Sequence, residues 1–317
     1  MRTCKIALAS LIASLVAGLQ ASSLDQLDGV KTPDVSLDGT WHFQLPAPND
    51  FWKEEGALTG WKTMPVPGDV FREGHAIKED LPFAYKKKIS IPADFAGQQI
   101  RLRFEGAHDY TRVWVNGQFI RDHQGGWTPW ECDITSVVKP GEDAWISLEL
   151  TDKSKDIAFN GKRLRPIGGL VRSVSLQARP KTFFEFPIVS SPFSEDGKTA
   201  QLTIIGQVAT PHTEGVATFK LFDPSGKEIP LSPNSCALGE KQVTFTAPVN
   251  APQTWTAEKP VLYRLQVTST TPGQATAVYS KQIGFRDIRF DEKKNMLING
   301  KVVKLRGANR HLVNPLK

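Results

Sequence analysis

Three short stretches of this chain carry residues whose types and spacing could do chemistry. The first is KLRGANRHLVNPLK, residues 304–317, which reads as a strand running into a polar loop. Arg306, Asn309, Arg310 and His311 place guanidinium, amide and imidazole groups there, a set suited to sugar hydroxyls. The second is Gly125-Gly126-Trp127-Thr128-Pro129, a loop able to expose an indole. An indole face stacks well on a pyranose ring, but a packed loop tryptophan is the commoner role and the favoured reading of Trp127. The third is residues 156–165, where Lys162, Arg163 and Arg165 stand against Asp156 with Asn160 between them. Such a loop either attracts an acidic or sulfated glycan or is a solvated surface, the favoured reading. His42, His75, His108, His123 and His212 are scattered without shared spacing. No Gly-x-Ser-x-Gly, phosphate loop or zinc spacing occurs, so no cofactor or metal is expected.

The elements that would position these groups are strands. Ile100, Leu102 and Phe104 alternate with charged residues, as do Ile146, Leu148 and Leu150. Period two with polar partners predicts half-buried antiparallel strands. Val113-Trp114-Val115 is apolar on both faces, and Asn116-Gly117 after it supplies a two-residue hairpin turn. Asp109 and Asn116 read as turn residues. Trp41, Trp114 and Trp130 read as core. Turn signals at intervals of about ten residues predict a β-sandwich. The texture changes near Arg179-Pro180. Beyond it, Leu202/Ile204, Ala217/Phe219/Leu221, Val243/Phe245 and Leu265/Val267 are spaced as in an immunoglobulin-type sandwich, with a turn at Asp223-Pro224-Ser225-Gly226. Asn299-Gly300 makes a second tight hairpin, and Lys304-Leu305-Arg306-Gly307 begins a further strand.

Composition fits this picture. With 317 residues, 40% of them hydrophobic and 23% charged, the chain is globular and long enough for two domains. Its 22 prolines and 25 glycines suit many turns and few long helices. Residues 1–21 combine Arg2 and Lys5 with an apolar run from Ile6 to Leu19 and end on a small residue, Ala21. That is the pattern of a cleaved secretory signal, too short to span a bilayer comfortably. Secretion or export to a periplasm is therefore expected, with no membrane association after cleavage. The net charge of +6 falls by two with the signal and is dispersed, which argues against nucleic-acid binding. Cys132 and Cys236 lie far apart, and a disulfide between them is not expected.

Several motifs together resemble glycoside hydrolase family 2, the family of β-galactosidases, β-glucuronidases and β-mannosidases. FEGAHDYTRVWVNGQFIRDHQGGWTPWECDIT, residues 104–135, resembles the signature of its N-terminal sugar-binding domain. GGLVRSVSL, residues 168–176, resembles the strand that closes that domain. WTAEKPVLYRLQV, residues 255–267, resembles the late part of the immunoglobulin-like second domain. IGFRDIRFDEKKNMLINGKVVKLRGANRH, residues 283–311, resembles the junction into a catalytic (β/α)8 barrel. The resemblance implies an all-β chain: a jelly-roll sandwich over 33–180, an immunoglobulin-like sandwich over 181–285, and a linker hairpin with the first strand of an incomplete barrel over 286–317. A barrel needs at least about 200 residues.

For function, the resemblance implies hydrolysis of O-glycosyl bonds by two glutamates on later barrel strands, the acid/base following an asparagine. This sequence contains no Asn-Glu pair, and its last acidic residues, Asp291 and Glu292, precede the barrel strand. No catalytic residue is carried over, and the chain alone is expected to be inactive. In a complete homologue His311 would contact the sugar, with Asn309 and Arg310 on the same loop and Trp127 and Arg163 as further contacts. The loop Glu79-Asp80-Leu81-Pro82-Phe83 would reach the barrel, and the basic 156–165 loop departs from the galactosidase pattern. The partner implied is a carbohydrate, and full-length relatives often form oligomers. The alternative reading is a stand-alone carbohydrate-binding or accessory β-sandwich module.

Overall fold

The computed structural model describes residues 29–31, 34–53, 58–153, 167–194 and 198–308. They divide into two compact units, one built on Thr32–Lys181 and one on Thr182–Pro272 with Val278–Lys317. The first short strand, β1 (Gly29–Lys31), pairs within the second unit.

The first unit holds β2 (Asp34–Ser36), β3 (Gly39–Gln44), β4 (Lys62–Val66), β5 (Phe83–Ser90), β6 (Gln99–Phe104), β7 (Tyr110–Val115), β8 (Gln118–Gln124), β9 (Trp130–Asp133), β10 (Asp143–Thr151) and β11 (Val174–Arg179). One sheet has the order β4-β3-β5-β10-β7-β8, the other β2-β11-β6-β9. Their inner faces share one core. Trp41, Phe43, Tyr85, Leu148 and Val113 come from the first sheet; Leu102, Phe104, Trp130 and Leu176 come from the second. Burying each large apolar side chain stabilises by roughly 1.5–3 kcal/mol, so this shared layer is what joins the sheets. The alternation in β6 is strict, with Ile100, Leu102 and Phe104 inward and Gln99, Arg101 and Arg103 outward. Trp114 points the other way from Val113 and Val115 yet is buried. The loop after β3 covers it: Trp52 stacks on Trp114 at 4.5 Å and 9°, and Phe51 meets it edge-on at 6.0 Å. The β7–β8 turn has Asn116 at φ 48° and Gly117 at φ 75°, the left-handed pair that a two-residue hairpin requires. Asn116 also ties that turn to the sandwich, donating to Val137 O at 2.9 Å and accepting from Trp145 N at 2.8 Å.

The second unit adds β12 (Phe184–Ser190), β13 (Thr199–Val208), β14 (Val216–Phe222), β15 (Glu228–Ile229), β16 (Ser235–Ala237), β17 (Gln242–Asn250), β18 (Tyr263–Thr270) and β19 (Ala277–Ile283). One sheet runs β1-β19-β18-β14-β15 with β16 also on β14; the other runs β12-β13-β17. Phe219 and Phe245 stack at 3.7 Å between them, with Phe184 edge-on to Phe219 at 5.9 Å. Asp223 closes the β14–β15 turn by accepting from Ser225 N at 2.8 Å and Lys227 N at 3.0 Å. Cys132 and Cys236 are both free thiols.

Past Phe285 comes a small meander of β20 (Ile288–Phe290), β21 (Met296–Ile298) and β22 (Lys301–Val302). The strand expected at Lys304–Gly307 is not formed: residues 303–308 lie outside any strand. A parallel barrel strand is held by neighbouring strands, and none of the described residues supplies one.

Candidate functional site

Trp127 is the one exposed tryptophan among the described residues, and the first unit builds a cleft beside it. The floor is backbone. Gly68 N donates to Leu170 O at 2.8 Å, Val70 N to Gly168 O at 2.9 Å, and His108 and Gly169 exchange bonds of 2.8 and 3.0 Å. Gly169 sits at φ 112°, and a Cβ there would lie 2.7 Å from Tyr85 Oη; only glycine allows this close approach. Burial pushes the Tyr85 hydroxyl far above its ordinary pKa, so it stays neutral beneath the floor.

One wall is a helical turn. Glu73 N donates to Asp69 O at 3.0 Å, and the Asp69 carboxylate accepts from Phe71 N at 3.1 Å, which orients it. Spacing of three and four residues brings Asp69, Arg72 and Glu73 to one side of the turn. Arg72 Nε stands 3.8 Å from Asp69 Oδ2. These three side chains, with Pro67, Trp127 and Val171, line a cleft of about 390 Å3.

Trp127 is held in place without being buried. The preceding Gly126 packs on His108, where a Cβ would come within 2.1 Å of the ring. His108 meets the indole edge-on at 5.4 Å and 65°. Arg172 sets its guanidinium 5.8 Å from the ring centre and donates from Nη1 to Trp127 O at 2.9 Å. The indole nevertheless remains 52% exposed, against the favoured sequence reading of a packed loop side chain. The loop turns outward because both glycines let the backbone fold onto His108 and Asp109, Gly125 at φ 131° donating to Asp109 O at 3.0 Å. On the neighbouring strand, His123 stacks on Trp130 at 4.5 Å. Burial, and then the nearby Arg121, lower its pKa, favouring a neutral imidazole.

A second polar cluster lies on the outer face of β6, β9 and β11. The Glu131 carboxylate receives Arg179 Nη2 at 2.6 Å, Arg103 Nη1 at 2.8 Å and Arg101 Nη1 at 3.3 Å. Register makes it: Arg103 lies directly opposite Glu131, and Gln177 opposite Arg101. Its guanidiniums are occupied by carboxylates and amides, so it reads as a structural clamp.

The other sequence candidates fall differently. His311, Asn309, Arg310 and Arg163 lie outside the described residues, as do Asn160, Lys162 and Arg165. Arg306 is exposed. In the Glu79–Phe83 loop, Asp80 is engaged structurally, its carboxylate 3.0 Å from Lys153 Nζ and its N–H on Asp152 O at 3.1 Å. Trp41, Trp114 and Trp130 are buried as expected. Asp109 is buried at a bend entering β7, its carbonyl accepting from Gly125 N at 3.0 Å. Asp69, Arg72 and Glu73 went unnoticed in the sequence, although GDVFRE carries their i, i+3, i+4 spacing. Among the described residues no three His, Cys, Asp or Glu side chains gather as a metal would need.

Comparison places the chain among known proteins. The model of Glycosyl hydrolases family 2, sugar binding domain, matches residues 73–180. The model of Glycosyl hydrolases family 2 matches residues 182–286. A β-galactosidase of Priestia megaterium is 26% identical over 321 residues, covering 89% of this chain and 31% of that protein. The β-galactosidase large subunit of Lactobacillus acidophilus is 25% identical, covering 87% of this chain and 50% of that one. The chain thus spans about a third to a half of the length of these curated relatives. Among solved structures, a calcium-binding mutant of β-glucuronidase 2 from Bacteroides uniformis superposes with a TM-score of 0.75 at 23% identity, covering 89% of this chain and 36% of that one. A β-glucuronidase of Ruminococcus gnavus in complex with D-glucuronic acid gives 0.69 at 24% identity, covering 87% and 49%. Such identities establish the fold, two β-sandwiches. The two family models, in consecutive order across residues 73–286, carry the assignment: the chain belongs to glycoside hydrolase family 2.

Proposed function

We propose that this chain supplies the two N-terminal sandwiches of an exported family 2 β-glycosidase, an enzyme hydrolysing O-glycosyl bonds, and that the 317 residues alone are catalytically silent. The observation that carries this reading is the consecutive match of both family models, together with β-galactosidase relatives of two to three times the aligned length. Retaining hydrolysis needs two carboxylates about 5–5.5 Å apart across the scissile bond. In this family they belong to a barrel that residues 304–317 would only begin, with His311, Asn309 and Arg310 lining its sugar pocket and Arg163 approaching it. The meander after Phe285 supports a further domain. Phe290 is 69% exposed, and Ile288, Val302 and Leu305 are exposed with it, an apolar surface of the kind that folded protein normally covers. Export rests on the pattern of residues 1–21. The purified chain is expected to hydrolyse no aryl β-galactoside, β-glucuronide or β-mannoside above background. Turnover that disappears on substituting a residue of this chain would overturn the reading. The second reading, an accessory carbohydrate-binding module, is favoured by one feature, the exposed indole of Trp127.

A further inference from the structure

We infer that the outer edge of β19 is a docking edge for an extended segment of another polypeptide, and that this chain holds it shut with its own β1. In the sheet β1-β19-β18-β14-β15, β18 lies on one side of β19, and among the described strands β1 is the only one on the other. β1 is three residues long and pairs antiparallel with Val278, Tyr279 and Ser280, part of the seven-residue β19. An uncapped edge is a row of backbone N–H and C=O groups, a template for any chain able to extend beside it. Residue types show that the covered stretch is the one in need of cover. Ala277-Val278-Tyr279-Ser280 is uncharged, and valine and tyrosine favour strands, a combination that recruits foreign strands. Past the last paired residue stands Lys281, a charge of the kind that keeps an open edge unpaired. β1 itself ends the sheet, because three residues that include Gly29 and Lys31 offer too short and too poor an edge for another strand.

The cap is weak by construction. Strands usually run to about five or six residues, and a ladder of three opens locally at little cost. Such an opening leaves the core of the second unit in place: Tyr279 and Ile283 are buried in that core, whereas Val278 and Ser280 are half-buried on the opposite side of the strand. Covalent attachment keeps β1 at hand to reclose, since only Thr32 and Pro33 separate it from β2. The same short link selects the occupant. A second copy could lend its own β1 only by bringing its first sandwich to within roughly 10 Å of the edge, whereas an extended segment of another protein carries no folded mass so close. Main-chain pairing supplies affinity and alternate side chains supply selectivity. The partner is therefore a segment free of proline across the paired residues, with a β-branched centre as Val30 is. The inference concerns this edge alone and does not rest on the glycosidase reading.

The test uses the full chain. Along an antiparallel strand alternate residues turn their N–H toward the partner, so of Val30→Pro and Lys31→Pro one removes a ladder donor and the other leaves the ladder intact. The probe is a fluorescent peptide of residues 25–34, DQLDGVKTPD, which carries the β1 sequence. One proline variant should lose amide-exchange protection within Val278–Ser280 while keeping the circular dichroism of the unsubstituted chain. That variant should bind the peptide about tenfold or more tightly than the unsubstituted chain does, because a site filled in cis lowers apparent affinity by its closed fraction. Bound peptide should restore the lost protection, and a peptide carrying Val30→Pro together with Lys31→Pro should not bind. Protection unchanged in both variants, loosened amides with no gain in peptide affinity, or a released variant that dimerises in sedimentation instead of taking the peptide would each overturn the inference.

Discussion

Replacing Glu131 by glutamine tests the clamp on the outer face of the first sandwich. The substitution keeps shape and one carbonyl oxygen but removes the charge that Arg101, Arg103 and Arg179 share. It also turns an amide N–H2 toward a guanidinium donor. The Glu131 side chain is 9% exposed and that of Arg179 8%. Removing one partner from a buried ion pair costs about 3–5 kcal/mol, because the remaining charge is left uncompensated. Arg103 is 26% exposed and Arg101 16%, so water screens part of the repulsion, and the low end, about 3 kcal/mol, is expected. For a unit of this size each kcal/mol lowers the melting temperature by roughly 2–4 °C, giving a drop of about 10 °C. Differential scanning calorimetry at pH 7 reads it. The pH dependence adds a second arm. Burial alone would raise the Glu131 carboxyl, but Arg179 and Arg103 outweigh it and hold the folded pKa below the ordinary value. A depressed folded pKa gives stability that is full above the unfolded carboxylate range and is lost as pH falls through the folded value. The gap between wild type and Glu131→Gln should therefore close on acidification through that window. A gap under about 1 kcal/mol at neutral pH, or one that does not change with acid, would refute the clamp.

Two further changes probe the second unit. Phe219→Ala removes the ring stacked on Phe245 and edge-on to Phe184, and should cost about 3–5 kcal/mol, read as a lower urea midpoint; a loss below that of an ordinary surface change would mean the aromatic layer does not hold these sheets. Asn299 has φ 51°, accepts from Asp287 N at 3.0 Å and donates to Trp255 O at 2.9 Å. Asn299→Ala should cost about 1–3 kcal/mol and speed amide exchange across residues 288–302. Asn299→Gly should restore the turn geometry but not the two side-chain bonds, and protection equal in both variants would show the left-handed φ to be irrelevant.

Alternation was enough to read the strands. Ile100, Leu102 and Phe104 could only face a core together, and Asn116-Gly117 could only turn the chain tightly. The double-sided burial of Val113-Trp114-Val115 was legible too, but its cause was not, because Trp52 reaches Trp114 from a loop some sixty residues earlier. The strand at Lys304–Gly307 was read from local pattern, and local pattern cannot provide the neighbours that a parallel strand needs.

The sequence by itself determined an all-β chain, its tight turns, its tryptophan core and its family, because each of these is written in residue types at short spacing. Only the tertiary structure decided what Trp127 does. In sequence it is a tryptophan between two glycines and a proline, equally able to pack or to protrude. Its exposure depends on His108 filling the space beneath Gly126 and on Arg172 bracing the ring. Its companions Asp69, Arg72 and Glu73 lie more than fifty residues away and join it only because the 67–70 and 168–170 segments are zipped together by backbone hydrogen bonds. Glu131 and its three arginines come from three strands and meet through sheet register alone. Periodicity reports which way a side chain points, whereas what it meets there is set by pairing between distant segments, which no local spacing encodes.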